Sequence, residues 1–349
     1  MGSMKLFSSV GEFFALDIGT TAVRVVELRK SGDAWSLAKY GSAPVDIKIA
    51  ASDSMDDQRR LGEVVTNLIT QTGITTHNVV VGMPSNKTFA TVIDLPDLPP
   101  QELAATIKYQ AEQFIPMAIE EVKVDWAVLG KSLRDTSKIE VLLASVSNKF
   151  SEARLDLVES LGLNVIALEP DSLAVVRSLV PVGSKDAHMI VDFGDFTTDI
   201  VMVLSGAPRL IRSIPVGMQT LVKVAQQNLT IDANQATQFI MKFGLYPDRL
   251  EGQILKSLDA TLEQFVAEIT KSAKFFQSRY PNVPISSVIL SGYTLSIPAF
   301  GEYIATKAGM PTVAGNSWGN VRFSADMRDK LMQVAPQFAV AVGLAEREA

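Results

Sequence analysis

The chain has 349 residues, 47% hydrophobic and 20% charged, with a formal net charge of −6. That is long enough for two cored domains, and it is a globular rather than disordered profile. The acidic balance argues against broad nucleic-acid binding, and the absence of cysteine excludes disulfides, thiol nucleophiles and cysteine-rich zinc sites. Only His77 and His188 are present, too few for a histidine-based triad or metal cage.

Apolar runs fall short of the ~18 residues a membrane-spanning helix needs. The richest stretch, His188 to Leu204, is interrupted by Asp192, Asp195 and Asp199. The start, Met1-Gly2-Ser3-Met4, reads as a cloning remnant rather than a myristoylation signal, and the weakly amphipathic segment from Met4 to Phe14 as a leader into the first strand.

From Phe13 to Ile18 the chain is apolar and ends in Asp17-Ile18-Gly19-Thr20-Thr21. Alternation then resumes at Val23 and Val25 and continues to Leu28, which predicts two strands joined by a tight turn. Helical spacing follows from Leu61 to Thr72, then a strand over Val79–Met83 closed by Pro84. Residues 84–150 read as an inserted α+β unit: a strand from Lys87 to Asp94, a helix opened by Pro100 and stopped by Pro116, and strands at Val122–Leu129 and Ile139–Val146. Leu155–Leu161 reads as a helix, Val165–Leu168 as a strand, and Asp171 to Leu179 as a helix after Pro170. Pro181, Gly183 and Ser184 mark a boundary.

The second half restarts with strand, turn and strand over His188–Leu204. Helices are expected near Gln219–Asn228, Ala233–Phe243 and Leu258–Tyr280, then a strand at Val288–Leu290, a helix after Ser296 and Pro298, and a last helix at Gln337–Ala345. The two Asp-initiated turns, at Asp17 and Asp192, lie 175 residues apart, each after a buried strand. This predicts an internal duplication, two α/β halves facing a shared cleft.

Phosphate binding at a turn needs converging backbone N–H groups, no obstructing Cβ and a hydroxyl or two. Gly19, Thr20 and Thr21 supply these. Gly194 with Thr197 and Thr198 supplies them again, read as a loop two residues longer. Asp17 and Asp192 stand where two strand-end carboxylates could share Mg2+, usually through water. Ser291-Gly292-Tyr293 is a third loop between strand and helix. Glu268 and Lys271 lie off the apolar stripe of the long helix, a position that is ordinarily solvated surface.

These motifs resemble the actin/Hsp70/sugar-kinase superfamily. Leu16–Thr21 resembles its first phosphate motif, Leu168-Glu169-Pro170 through Ala174 the first connecting helix, Asp192–Thr198 the second phosphate motif, Ile289–Gly292 the adenosine motif and Ala339–Gly343 the last connecting helix. Within it, Leu95-Pro96 onward to Ala111–Pro116, Ile214–Gly217 and Phe275–Ser278 resemble the PilM family of type IV pilus assembly ATPases.

The resemblance implies a two-domain actin-like (ribonuclease H-like) α/β fold. Its first subdomain would be residues 13–83, 151–182 and 325–349, and the inserted one 84–150. The second actin-like subdomain would be 183–225 and 275–324, and a helical one 226–274. It implies ATP and Mg2+ as cofactors, with Asp17 and Asp192 serving the metal and Gly19, Thr20, Thr21, Gly194, Thr197 and Thr198 the phosphates. Gly217, Gly292 and Tyr293 would flank the nucleoside, joined by Glu268 and Lys271, and Glu169 would order metal and water for at most slow hydrolysis.

Tyr293 and Ala299 replace glycines usual in the adenosine motif, so Tyr293 would crowd or stack on the base. The implied setting is cytoplasmic, at the inner-membrane pilus platform. The partner would be the N-terminal cytoplasmic peptide of PilN, in a groove between the first domain and the inserted unit. PilO and PilP would be reached indirectly, and the pilus motor ATPases are a further implied contact. The alternatives are an FtsA-like division scaffold and a small-metabolite kinase. The polar ending Glu346–Ala349 disfavours the first, and the lack of a catalytic Asp beside a substrate pocket disfavours the second.

Overall fold

The computed structural model describes residues 12–32 and 34–348. The leader read over Met4–Phe14 therefore lies, up to residue 11, outside the described residues. The chain opens with a meander of β1 (Phe14–Ile18), β2 (Ala22–Ser31) and β3 (Ala34–Pro44), followed by the short α1 (Ile47–Ala50), α2 (Met55–Thr72) and β4 (Asn78–Met83). The inserted unit contributes β5 (Thr88–Pro96), α3 (Pro100–Phe114), β6 (Val122–Lys131) and β7 (Lys138–Ser147). Then α4 (Asn148–Ser160), β8 (Asn164–Pro170) and α5 (Asp171–Leu179) complete the first half.

A second meander follows: β9 (Ala187–Phe193), β10 (Thr198–Leu204) and β11 (Ala207–Ile214). After it come α6 (Met218–Leu229), α7 (Ala233–Phe243), α8 (Gln253–Arg279), β12 (Ile285–Gly292), α9 (Phe300–Ala308) and β13 (Thr312–Ala314). The chain closes with β14 (Val321–Arg322), α10 (Arg328–Val334) and α11 (Ala339–Ala345).

Among the described residues the strands form three sheets, ordered β14-β3-β2-β1-β4-β8, β11-β10-β9-β12-β13 and β5-β7-β6. The two large sheets follow one path. In each, an antiparallel meander starts in the middle, and a later strand pairs parallel to its first strand: β4 to β1, and β12 to β9. The duplication expected from the two Asp turns is present in the topology.

β1 and β9 are central and covered on both faces, which is why they read as apolar runs rather than as alternating strands. Phe14, Leu16 and Ile18 face Leu61, Val65 and Leu68 of α2 and Leu157 of α4, while Ala15 faces α11. Met189, Val191 and Phe193 pack on α6, α8 and α9, while Ile190 faces α5. The two large sheets thus share α5 and α11 as a middle layer. Gly343 makes that layer possible, since a Cβ there would lie 1.9 Å from the Ala174 carbonyl oxygen.

Several elements are missing from the sequence expectation, among them β3 and β11, the third strands of the meanders. The AWSLAKYGSAP run of β3 is half-exposed throughout, and β11 carries Pro208, Arg209 and Arg212. Neither shows the period-2 contrast that marks a strand. α4 begins at Asn148, capped by Ser147, well before the expected Leu155. Its first turns bury Ser151 and Arg154, so hydrophobic spacing did not mark them.

The inserted sheet packs α3 on one face, through Leu103, Ile107 and Ala111. Its other face is tied to the second half. Glu140, fully buried, accepts from Arg209 Nη1 at 2.6 Å and from the Tyr280 hydroxyl, and Arg279 Nη1 donates to the Val92 carbonyl at 3.0 Å.

Candidate functional site

The β1–β2 and β9–β10 hairpins are built alike. Gly19 N–H donates to Ala22 O at 3.0 Å, and Gly194 N–H to Thr197 O at 2.9 Å. Ile18 pairs with Val23 and Phe193 with Thr198, so the loops have equal length, and the reading of a longer second loop is corrected. That reading counted from threonine to threonine, but the strand register aligns Thr197 with Ala22 and Asp195 with Thr20. Backbone N–H groups of Thr20, Thr21, Asp195 and Phe196 have no hydrogen-bond acceptor among the described residues. Such free N–H groups at a glycine turn form a concavity suited to an anion.

The two loops meet. Thr20 Oγ1 and Thr21 Oγ1 donate to Asp195 Oδ2 at 3.0 and 2.8 Å, and the Tyr293 hydroxyl donates to Asp195 Oδ1 at 3.0 Å. Thr20 and Asp195 are 175 residues apart and occupy equivalent places in the two repeats, so equivalent loop positions touch across the cleft. Burial beside the Asp195 carboxylate pushes the Tyr293 hydroxyl up to about 12, so it remains a donor at neutral pH.

Behind the loops lies a group of carboxylates: Asp17 on β1, Asp192 on β9, Asp199 on β10 and Asp171 at the start of α5. Burial raises all four. Asp171 is held well above its ordinary value by burial and then by the charges of Asp17, Asp199 and Asp192. Asp192 is raised to about 7 by burial and by Asp199. The basic groups among them are Arg24, 3.3 Å from Asp17, and Arg154 on α4. Arg24 Nε, Asp171 Oδ1, Asp199 Oδ1 and the hydroxyls of Ser85, Ser213 and Ser291 have no hydrogen-bond partner of ordinary geometry. Four carboxylates face two guanidiniums, so the group favours bound protons or a cation over full ionisation.

Glycines bring the second domain's loops together. A Cβ at Gly292, whose φ is 64°, would lie 2.3 Å from Phe193 O and 3.1 Å from Asp192 Oδ1. A Cβ at Gly217 would lie 2.5 Å from Asp195 O. The first amides of α6, Met218 and Gln219, donate to Gly194 O and Asp195 O.

The chain matches the family described as type IV pilus assembly protein PilM over residues 15–349. It belongs to the PilM family. Among solved structures, the PilM-PilN type IV pilus biogenesis complex superposes with a TM-score of 0.82 at 20% identity, covering 96% of this chain and 97% of that one. The ethanolamine utilization protein EutJ from Carboxydothermus hydrogenoformans gives 0.56 at 14% identity, over 95% and 88%. MreB5 of Spiroplasma citri bound to ADP gives 0.50 at 12% identity, over 96% and 95%. The fold of this PilM-family chain is the actin-like one.

Several expected site residues of this PilM-family chain are engaged by other protein groups. The Thr198 hydroxyl is buried and donates to the Val216 carbonyl at 2.7 Å, so it ties β10 to the segment that follows β11. Glu169 is buried between Arg177 (2.7 Å) and Arg347, on the side of α11. Asp171, two residues on, is the carboxylate that joins the group. Glu268 pairs with Arg212 of β11 at 2.6 Å and lies 3.8 Å from Lys271. Asp195, Asp171 and Asp199 were not singled out from sequence. For Asp195 the signal was its place one residue after the turn glycine, matching Thr20.

Proposed function

We propose that this chain is the ATP-binding, actin-like component of a type IV pilus assembly complex, gripping Mg2+-ATP between its two hairpins. The observation that carries the reading is the meeting of two equivalent hairpins, with free N–H groups on both and an anion, the Asp195 carboxylate, already seated on the hydroxyls of Thr20 and Thr21. Donors that hold a carboxylate suit a phosphate oxygen equally.

On this reading Gly19, Thr20, Thr21, Gly194 and Thr197 hold the phosphates. Gly217, Gly292 and Tyr293 lie toward the nucleoside, with Glu268 and Lys271 at its outer edge. Among the described residues no three acidic or histidine side chains are close enough to hold a metal directly. Asp17 and Asp192 would therefore hold Mg2+ through water, as that reluctantly dehydrated ion prefers. The excess of carboxylates over guanidiniums fits a dication. Bound Mg2+ would neutralise polyphosphate charge and order the phosphates. Glu169, clasped by two arginines, is poorly placed to orient a water, which fits hydrolysis that is slow at most.

The partner we assign is the N-terminal cytoplasmic peptide of PilN, between the first domain and the inserted unit. Support comes from the likeness to the PilM-PilN complex. The chain would act in the cytoplasm, attached to the inner membrane through partners, with PilO and PilP reached indirectly. No helix among the described residues is long and apolar enough to cross a membrane. The family match over residues 15–349 favours this reading over an FtsA-like scaffold.

Calorimetry tests both parts. Mg2+-ATP should give saturable heat that Asp17→Ala weakens at least tenfold, and the PilN peptide should bind more tightly in its presence. Equal peptide affinity with and without nucleotide would reject the coupling, since a ligand shifts an equilibrium only by its differential affinity.

A further inference from the structure

Asp195 is out of keeping with the rest of its loop. A phosphate-binding turn works by offering donors, yet this one places a carboxylate one residue after the glycine, where the first hairpin has Thr20. That carboxylate reaches across to the other domain and uses the hydroxyls the first hairpin offers. A third hydroxyl, from Tyr293, holds its second oxygen from within its own domain.

We infer that Asp195 is an internal anion, a clasp that closes the ligand-free cleft and competes with ligand phosphate for Thr20 and Thr21. The inference rests on the nucleotide reading above. Three hydrogen bonds to an ionised acceptor are individually strong, and two of them join the domains. A polyphosphate approaching the first hairpin meets occupied donors and a like charge. It must break the two threonine bonds, while the bond to Tyr293 can persist, because Tyr293 follows β12 in the same domain as Asp195. Tyr293 thus serves as the resting place of the displaced carboxylate. This gives a role to the residue that replaces the usual glycine of the adenosine motif.

The clasp makes opposite demands on the ligand-free and liganded states. Without ligand, Asp195 holds the first hairpin. With ligand, the same carboxylate costs affinity. Removing its charge should therefore loosen the free protein and tighten the complex, a pair of effects that a merely structural loop residue would not give. Loss of a packing contact would weaken both.

The experiment compares wild type, Asp195→Asn and Asp195→Ala, using calorimetry with Mg2+-ATP and, separately, with Mg2+-tripolyphosphate, which needs no adenine pocket. Exchange of the Gly19 amide, which is hydrogen-bonded across the turn to Ala22 O, is read without ligand. The clasp predicts at least tenfold tighter binding of both probes by Asp195→Ala, a smaller gain for Asp195→Asn, and at least tenfold faster exchange in ligand-free Asp195→Ala. Equal or weaker binding by the variants, with wild type binding normally, overturns the clasp and leaves the nucleotide reading standing. No saturable heat from any of the three proteins overturns both. Unchanged exchange in Asp195→Ala also overturns the clasp, whatever the affinities.

Discussion

Ala299 adopts φ 60° and ψ 6° immediately before α9, a left-handed conformation that an L side chain enters at a cost. Its backbone is fixed there by the turn at Pro298, whose carbonyl accepts from Leu245 N–H, and the Tyr303 N–H donates to Ala299 O. Ala299→Gly should therefore stabilise the chain by about 0.5–1 kcal/mol, net of the entropy glycine loses on folding. Urea unfolding measures it, and no gain would mean the backbone is not strained there. Glu346 offers a pH test outside the cleft. Burial raises its carboxyl to about 7, against the lowering effects of Asn320 and Arg177. The folded state then holds a proton that the unfolded chain releases near 4.5, so stability falls as pH rises from about 4.5 to 7. Glu346→Gln should flatten that slope and raise stability at pH 8 by roughly 1–3 kcal/mol. An unchanged pH profile of unfolding would contradict it.

At the scale of elements, the contact between the inserted sheet and the second domain depends on Glu140. It is fully buried on β7 and satisfied by Arg209, itself buried, and by the Tyr280 hydroxyl. Glu140→Ala leaves a buried guanidinium unpaired, so denaturant unfolding should show a loss of about 3–5 kcal/mol, and Glu140→Gln a smaller one. A loss below 1 kcal/mol would mean that the two units do not depend on this contact. None of it was legible in the sequence, because Glu140 and Arg209 lie 69 residues apart and each alone reads as a solvated charge.

What was legible was local. The strand-Asp-x-Gly turns at Asp17 and Asp192 carry their geometry within five residues, and their repetition gave the duplicated architecture. β3 and β11 were missed because half-exposed or Arg-containing edge segments lack alternation. Glu169 and Asp171 lie two residues apart, one ending β8 and the other opening α5. Tertiary packing, through Arg177 of α5 and Arg347 after α11, decides which carboxylate is clasped by arginines and which joins the acidic group.

At the scale of the molecule, two similar sheets share a middle layer of α5 and α11 and carry their hairpins at the same end of that layer. The halves are joined at more than these shared helices, because the inserted sheet also holds the second domain through Glu140, Arg209 and Tyr280. The bonds of Thr20 and Thr21 to Asp195 add a second tie between the halves, at the rim of the cleft. On the proposed reading, a dication with its polyphosphate should stabilise the whole fold by mass action.

On the proposed reading the ligand is gripped from both sides at once. Amide hydrogen exchange with and without saturating Mg2+-ATP tests it directly. Residues 19–22 and 194–197 should be protected together, and that protection lost when the metal is chelated. Protection of one hairpin alone, or of neither, would contradict it.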